Sequence, residues 1–352
     1  MNVPSYSLRL LSALWPTHLQ RLPLSATGVS ANPDDRTVFL HYGDTPTLDY
    51  YWKVRFPNAL FIDTSRAFVD VAAFDEASMV ILIRHVGRDW LRLLKKKSNI
   101  LPPTILFLDD DIPGILTDHY LPLKYALKTA VRYGTSLDVF NEINAEVRVA
   151  TPGLAERYGL PKQSIVPPLP LLPYFPESTR NSRGPATVFY HGTASHMREI
   201  RWLRDVAEGV VGRLPDVVFE VFGNRKVSRL YQGVKGVRVV SPMPWNSFFE
   251  YTSFVNYDIG LAPLLKSPFN QCRSHVKYFD ITRTGGVGIY SDDSVFRPTI
   301  QNGVNGVLVE NTKQHWIDAI CLLAQDAELR CQLFDNAAAK VLSLGTAGKG
   351  GQ

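Results

Sequence analysis

The stretch DIGLAPLLKSPFNQCRSHVKYFDITRTGGVGIY, residues 258–290, constrains the fold more than any other. It reads as an apolar strand (258–264), a polar loop (265–273), a helix (274–284) and a second apolar strand (287–290). Continuous apolar runs bounded by Pro or Gly suit strands covered on both faces, as in a parallel sheet. The loop at the first strand's carboxyl end carries Asn270, Arg273 and Ser274 just ahead of the helix. Free N–H groups and the positive end of a helix dipole favour an anion there. On the helix, Lys277 and Asp280 are three apart and share a face. Such a set can hold a nucleoside diphosphate, with the cation at phosphate and the carboxylate on a ribose hydroxyl. A buried strand followed by a solvated helix with an ordinary ion pair would show the same residues.

Strand and helix alternate through the rest of the chain. In the first half, strands are expected at 37–42, 59–63, 79–85, 104–109 and 147–151, and helices at 46–55, 90–97 and 154–158. In the second half, strands fall at 187–190, 217–222, 237–240 and 307–309, and helices at 195–211, 245–254, 313–325 and 327–342, before a frayed Gly-rich end. This alternation predicts an α/β chain with parallel sheets. Five prolines between Val166 and Pro176 can neither continue a helix nor pair as a central strand. They set the expected division: a first domain at 1–166, a stiff linker at 167–180 and a second domain at 181–352. Two domains suit 352 residues.

Composition narrows the classes. A net charge of +5 is a mild basic excess that does not argue for nucleic acid; it suits a polyanionic ligand or an anionic membrane surface. Cys272, Cys321 and Cys331 lack the spacing of a zinc or redox pair, so free thiols in a reducing, cytoplasmic compartment are expected. No apolar run reaches the ~18 residues of a spanning helix. Residues 1–26 lack the order of a signal peptide, and pack on the domain or touch the inner face of a membrane. The sequence leaves the oligomeric state open.

Several strand ends carry candidate chemistry. After strand 187–190 come Gly192, where backbone can approach a ligand, Thr193, Ser195 as a helix N-cap, and Arg198, able to clamp a pyrophosphate; a capped helix with a solvated Arg is the alternative. Gly223 and Asn224 repeat the pattern more weakly, and Met243 or Trp245 lines a nucleotide base or packs in the core. In the first half, His85 with Arg84, and the run Asp109-Asp110-Asp111, end their strands. The Lys95-Lys96-Lys97 run reads as a solvated helix end or a membrane-docking one.

The segment from Lys277 to Gly285 with its following strand resembles the donor-site helix of GT-B glycosyltransferases, particularly the family-4-like group. So do the D-I-x-L-x-P strand at Asp258 and the segment QNGVNGVLVEN. The resemblance covers the C-terminal half; the N-terminal half matches in element order. It implies two Rossmann-like doubly wound domains facing a central cleft, a nucleotide-sugar donor on the second, and a glycan or lipid-linked acceptor on the first. Arg198 resembles the group's phosphate-binding position, and Gly43-Asp44 its acceptor-side loop. The implied activity is transfer of a hexosyl or deoxyhexosyl group in bacterial surface polysaccharide synthesis, with no cofactor and no metal. An Asp-x-Asp run also resembles the metal–nucleotide signature of the other large glycosyltransferase fold, GT-A, but a second α/β domain with its own phosphate site argues for GT-B. Where many GT-B members carry a catalytic Glu, this chain has Ser267-Pro-Phe-Asn270, which leaves retention or inversion open. An inverting reaction would use Asp110, Asp111 or His85 as base. A GT-B epimerase and a non-catalytic GT-B binding module are the competing readings.

Overall fold

The computed structural model describes residues 11–23, 36–171, 184–192, 194–292 and 294–350. The proline-rich stretch beyond Leu171 and Thr193 lie outside the described residues. The chain forms two compact units. One comprises the chain up to Leu169 together with Ser267–Ser274; the other comprises Pro170–Lys266 and His275–Gly351.

The first unit holds five parallel strands: β1 (Thr37–His41), β2 (Leu60–Asp63), β3 (Met79–Ile83), β4 (Thr104–Leu108) and β5 (Glu146–Val149). Their order is β2-β1-β3-β4-β5, a doubly wound arrangement whose direction switches between β1 and β3. Strands β1, β3 and β4 are buried along their whole length, as their unbroken apolar runs require. Each such side chain contributes about 1.5–3 kcal/mol of burial.

The helices of this unit include α1 (Arg88–Lys96), α2 (Leu123–Glu142) and α3 (Pro152–Tyr158). Helix α3 has the predicted stop, Gly159 at φ 63°. Helix α2, 20 residues long, is absent from the sequence reading. Its first half buries only Ala126 and Ala130, set between cations, so no apolar face stands out there; the larger Tyr133, Leu137, Val139 and Phe140 are buried in its second half. The described part of the N-terminal arm packs here: Gly134 lies against Leu19 and Trp15, and the Tyr133 hydroxyl donates to the Arg21 carbonyl at 2.6 Å.

The second unit holds six parallel strands: β6 (Thr187–Tyr190), β7 (Val218–Phe222), β8 (Val237–Val240), β9 (Ile259–Ala262), β10 (Val287–Ser291) and β11 (Val307–Val309). The order β11-β10-β9-β6-β7-β8 is that of a dinucleotide-binding sheet, with its switch between β6 and β9. Its helices are α4 (Met197–Arg213), α5 (Arg225–Leu230), α6 (Trp245–Phe254), α8 (Val276–Arg283), α9 (Lys313–Gln325) and α10 (Ala327–Gly350). The remaining helix, α7 (Pro268–Gln271), belongs to the first unit. Helix α10 continues through most of the stretch expected to fray. Gly260 in β9 lets Ile281 of α8 close in: a Cβ there would meet the Ile281 side chain at 2.5 Å. Among the described residues no helix is long and apolar enough to cross a membrane.

Candidate active site

In the second unit, the end of β6 and the first turns of α8 converge. The Lys277 ammonium donates to the His191 carbonyl and stands 4.9 Å over the Tyr190 ring. His191 Nε2 lies 3.3 Å from an Asp280 oxygen, and Arg283 approaches the other at 3.9 Å. Asp280 is only 3% exposed. Burial lowers the His191 pKa to about 4, helped by the Lys277 charge; the hydrogen bond to Asp280 pulls the other way without prevailing. The ring is therefore neutral at pH 7. Phe248 packs against it at 4.8 Å, and Trp245 stacks on Phe248 at 5.8 Å.

Helix α8 is not a solvated helix. Tyr278, Phe279, Ile281 and Thr282 are all buried, and the Tyr278 hydroxyl donates to the Ala337 carbonyl at 3.2 Å. Lys277 and Asp280 thus belong to a largely enclosed group, with His191 as a member that sequence reasoning passed over. A single His after a strand carries little signal by itself; its contact with Asp280 depends on two segments far apart in the chain.

Other expected donor residues have different placements. Arg198 lies in the first turn of α4, but its guanidinium donates to the Lys266 carbonyl at 2.9 Å. The neighbouring Glu199, buried, accepts from the Leu265 N–H at 3.2 Å, so the two side chains pin the backbone beyond β9. Ser195 is not the N-cap; a short 3-10 turn (Ala194–His196) moves the start of α4 to Met197. Gly192 is required by packing, since a Cβ would meet the Tyr190 hydroxyl at 2.8 Å and His196 at 2.9 Å. Gly223 is likewise a packing glycine against Val227, and Asn224 caps α5 by accepting from the Lys226 N–H at 3.0 Å. That stretch is a capped short helix. Met243 is half-buried just ahead of α6.

Asn270, Arg273 and Ser274, grouped by sequence with Lys277 and Asp280, take their contacts elsewhere. Residues 267–274 are part of the first unit. Phe269, 1% exposed, sits among Ile115, Leu116, Leu121, Ala126 and Ala130. The Phe269 N–H donates to Asp118 at 3.2 Å, and the Thr151 hydroxyl donates to the Cys272 carbonyl at 2.9 Å. Asn270 is buried in α7, its N–H bonded to the capping Ser267 hydroxyl at 3.1 Å. The apolar gain from Phe269 and these bonds explains why the loop leaves its own sheet.

Arg273 then joins a charged network at the ends of β3 and β4. Arg84 grips Asp109 through two nitrogens and lies 3.3 Å from Asp110, whose other oxygen is 3.4 Å from Arg273. Thr47 also donates to Asp109 at 2.6 Å. Burial works against the Asp109 charge, but Arg84 and the hydrogen bonds outweigh it and hold its pKa below the usual carboxylate range. The Tyr51 phenol lies beside the same group and Ser274, its pKa raised by burial and then by Asp109. Asp111 turns elsewhere: it accepts from the Tyr158 hydroxyl and the Gly114 N–H, and pairs with Arg157 at 3.0 Å. The three carboxylates are thus matched to arginines rather than gathered round one point as a metal would need. Among the described residues, no group of three His, Cys, Asp or Glu side chains is placed to hold a metal ion.

Arg84 itself adopts φ 59°, a conformation that non-glycine residues rarely take outside functional or tightly held sites. His85 follows it, with Nε2 accepting from Arg132 at 3.3 Å. Burial lowers its pKa to about 4, reinforced by Arg132, Arg84 and Lys128. Gly43 uses its freedom at φ 77°, and its N–H donates to Asp63 at 2.9 Å; Asp44 beside it is exposed.

No family model matches the sequence, and no curated protein matches it. Solved structures do match. WaaG, a glycosyltransferase involved in lipopolysaccharide biosynthesis, aligns over 89% of this chain and 98% of its own at TM-score 0.58 and 12% identity. HepE of Anabaena, in complex with UDP and glucose, aligns over 90% and 98% at TM-score 0.53 and 10% identity. A mutant of S. aureus TarM, in complex with UDP among other ligands, aligns over 76% of this chain at TM-score 0.54 and 12% identity. The chain spans about half, 53%, of that protein. The fold is GT-B. Within a GT-B chain, the strand-order switch of each sheet is the expected ligand position. His191 and the backbone pinned by Arg198 and Glu199 follow β6 and β9, the strands flanking the second unit's switch; Tyr42, Gly43 and His85 follow β1 and β3, those flanking the first's.

Proposed function

We propose that the protein is a glycosyltransferase that moves a sugar from a nucleoside diphosphate to an acceptor hydroxyl. The observation that carries this reading is the grouping of Lys277, His191 and Asp280 at the second unit's switch point in a GT-B fold. As the bond from the sugar's anomeric carbon to the diphosphate breaks, negative charge grows on the leaving oxygen, and Lys277 neutralises it in a partly desolvated site. The acceptor oxygen forms the new bond and gives up its proton. Of the three candidate bases, Asp111 is held by Arg157 and Tyr158, and the His85 Nε2 lone pair is held by Arg132. Asp110 also faces cations, but at the longer distances of 3.3 Å to Arg84 and 3.4 Å to Arg273, and we assign it as the carboxylate that faces the acceptor and takes its proton. No step in this reading requires a metal ion. The complexes of HepE and TarM with UDP support UDP as the donor nucleotide, and the role of WaaG in lipopolysaccharide biosynthesis supports a glycan or lipid-linked acceptor.

A thermal-shift series with UDP, GDP and their sugar conjugates tests the donor, since a ligand that binds only the native state raises its stability. One nucleotide should raise the melting temperature, and Lys277→Ala should reduce that rise and lower turnover about 100-fold. Transfer should continue in chelator; loss restored by manganese would end the metal-free reading. Conversion of the nucleotide sugar without acceptor would make the protein an epimerase, and binding without turnover would make it a module.

A further inference from the structure

An aromatic ring and a line of cations, unopposed among the described residues, meet at the switch point of the first unit. Tyr42 follows β1 and is 38% exposed. Its ring lies 5.1 Å from the His85 ring, and the Arg132 guanidinium stands 4.7 Å over it. Arg132 is the end of a stripe along α2: Lys124, Lys128 and Arg132 recur every fourth residue. Each step turns the helix by about 40° and climbs about 6 Å, so the three cations occupy one face over about 12 Å. Both lysines are exposed. Residues 123–137 contain no acid, and among the described residues none of the three cations forms an ion pair. Arg84, Arg157 and Arg273 are different: each is matched to a carboxylate of the Asp109–Asp111 run.

Like charges at this spacing destabilise a helix, so an empty stripe of this kind costs stability until a counter-charge arrives. Its field is visible at His85, where Arg132 and Lys128 add to burial in disfavouring the imidazolium.

We infer that Tyr42, Arg132, Lys128 and Lys124 form an acceptor subsite for a sugar carrying a phosphate or diphosphate group. The part of the Tyr42 ring left open by Arg132 and His85 gives a sugar an apolar contact. The guanidinium fork beside it matches phosphate oxygens in bidentate fashion, and the lysines add point charges for a second phosphate. The word acceptor rests on the glycosyltransferase reading; the anion site stands on its own geometry.

The test uses the full chain with saturating UDP, so that the diphosphate site of the second unit is occupied. Calorimetry compares glucose 1-phosphate in solution, a polyprenyl-diphosphate-linked glucose in neutral detergent micelles, and glucose as the uncharged control. The phosphate probes should bind and glucose should not. K124Q/K128Q/R132Q should weaken phosphate binding about tenfold or more, the scale of one lost charge-assisted hydrogen bond. K124Q/K128Q, which leaves the Tyr42–Arg132 contact intact, should fall between it and wild type. Binding of both probes makes a free sugar phosphate sufficient; binding of the micellar probe alone makes the acceptor lipid-linked. Failure of both phosphate probes, or wild-type affinity in the triple variant, overturns the proposal. UDP that does not bind while glucose 1-phosphate does would overturn the donor reading and leave this subsite standing.

Discussion

The two units solve the same problem at their switch points with different chemistry. The first places charges against charges: Arg84 and Arg273 face Asp109 and Asp110. The second places Lys277, Arg283 and the Asp280 carboxylate around a neutral imidazole that packs on Phe248. A self-neutralised network holds its geometry through pairing, so removing one member leaves a buried charge exposed to low dielectric. A site in which Lys277, bonded to the His191 carbonyl, stands beside a neutral ring is less tied to charge pairing and can answer an arriving anion. The first arrangement suits a rigid platform, the second a site that responds to its ligand.

Arg84→Ala should break the first arrangement most severely. It strands Asp109, which is buried and held by two Arg84 nitrogens. Loss of a partner from a buried pair costs about 3–5 kcal/mol. Chemical denaturation should show that loss, while a double variant that also replaces Asp109 by Asn should recover part of it. A single variant as stable as wild type would mean that the network contributes nothing to the fold.

A second experiment sharpens the comparison through acid. His85 and His191, one in each unit, both fall from 6.5 to about 4 on folding. Between those values the unfolded chain binds protons that the folded chain refuses. Stability is therefore complete above pH 6.5 and declines as pH falls towards 4, by about 3 kcal/mol per histidine at the lower end. Denaturation between pH 7 and 4.5 should show the decline, and a flat profile would refute it. NMR titration separates the units. Salt should lift the pKa of His85 more than that of His191, because exposed Lys128 is screened and the contacts of His191 are more enclosed. Equal movement of both rings would remove the stripe's influence on His85.

Much of this frame was legible. Strands buried on both faces must be apolar throughout, so β3, β4 and β10 stand out in the sequence, and the turn at Gly159 announces itself. Helix α2 was not legible, because its first half buries only Ala126 and Ala130, too small to carry hydrophobic periodicity, and the larger Tyr133, Leu137 and Phe140 come only in its second half. Nor was the departure of Ser267–Ser274 to the first unit. A loop Phe such as Phe269 gives no sign of which core will take it; that depends on the pocket formed by Ile115, Leu116 and Leu121. Asn224 showed the limits of motif spacing, since a cap and a phosphate loop ask for the same residue types. The sequence pattern at Lys277 and Asp280 reported a shared face correctly but said nothing of what lay opposite it.

The smallest expected effect decides what that opposite partner means. Taken from the sequence alone, Asp280 would sit open to a donor ribose, and Asp280→Asn would weaken donor binding with little change in melting temperature. The structure alters the second half of that expectation. Asp280 is buried between His191 Nε2 and Arg283, so the carboxylate orients the imidazole as well as supporting the helix. Asparagine keeps the shape and can still accept one hydrogen bond, but it loses the charge that answers Arg283. We expect a loss of about 1–3 kcal/mol in stability together with a weaker response to nucleotide. The variant should also remove the one contact that favours the His191 imidazolium, lowering that pKa further. Denaturation, nucleotide thermal shift and the His191 titration read these separately. Lowered stability with undiminished nucleotide response would make Asp280 a support of the second unit and leave Lys277 alone at the donor.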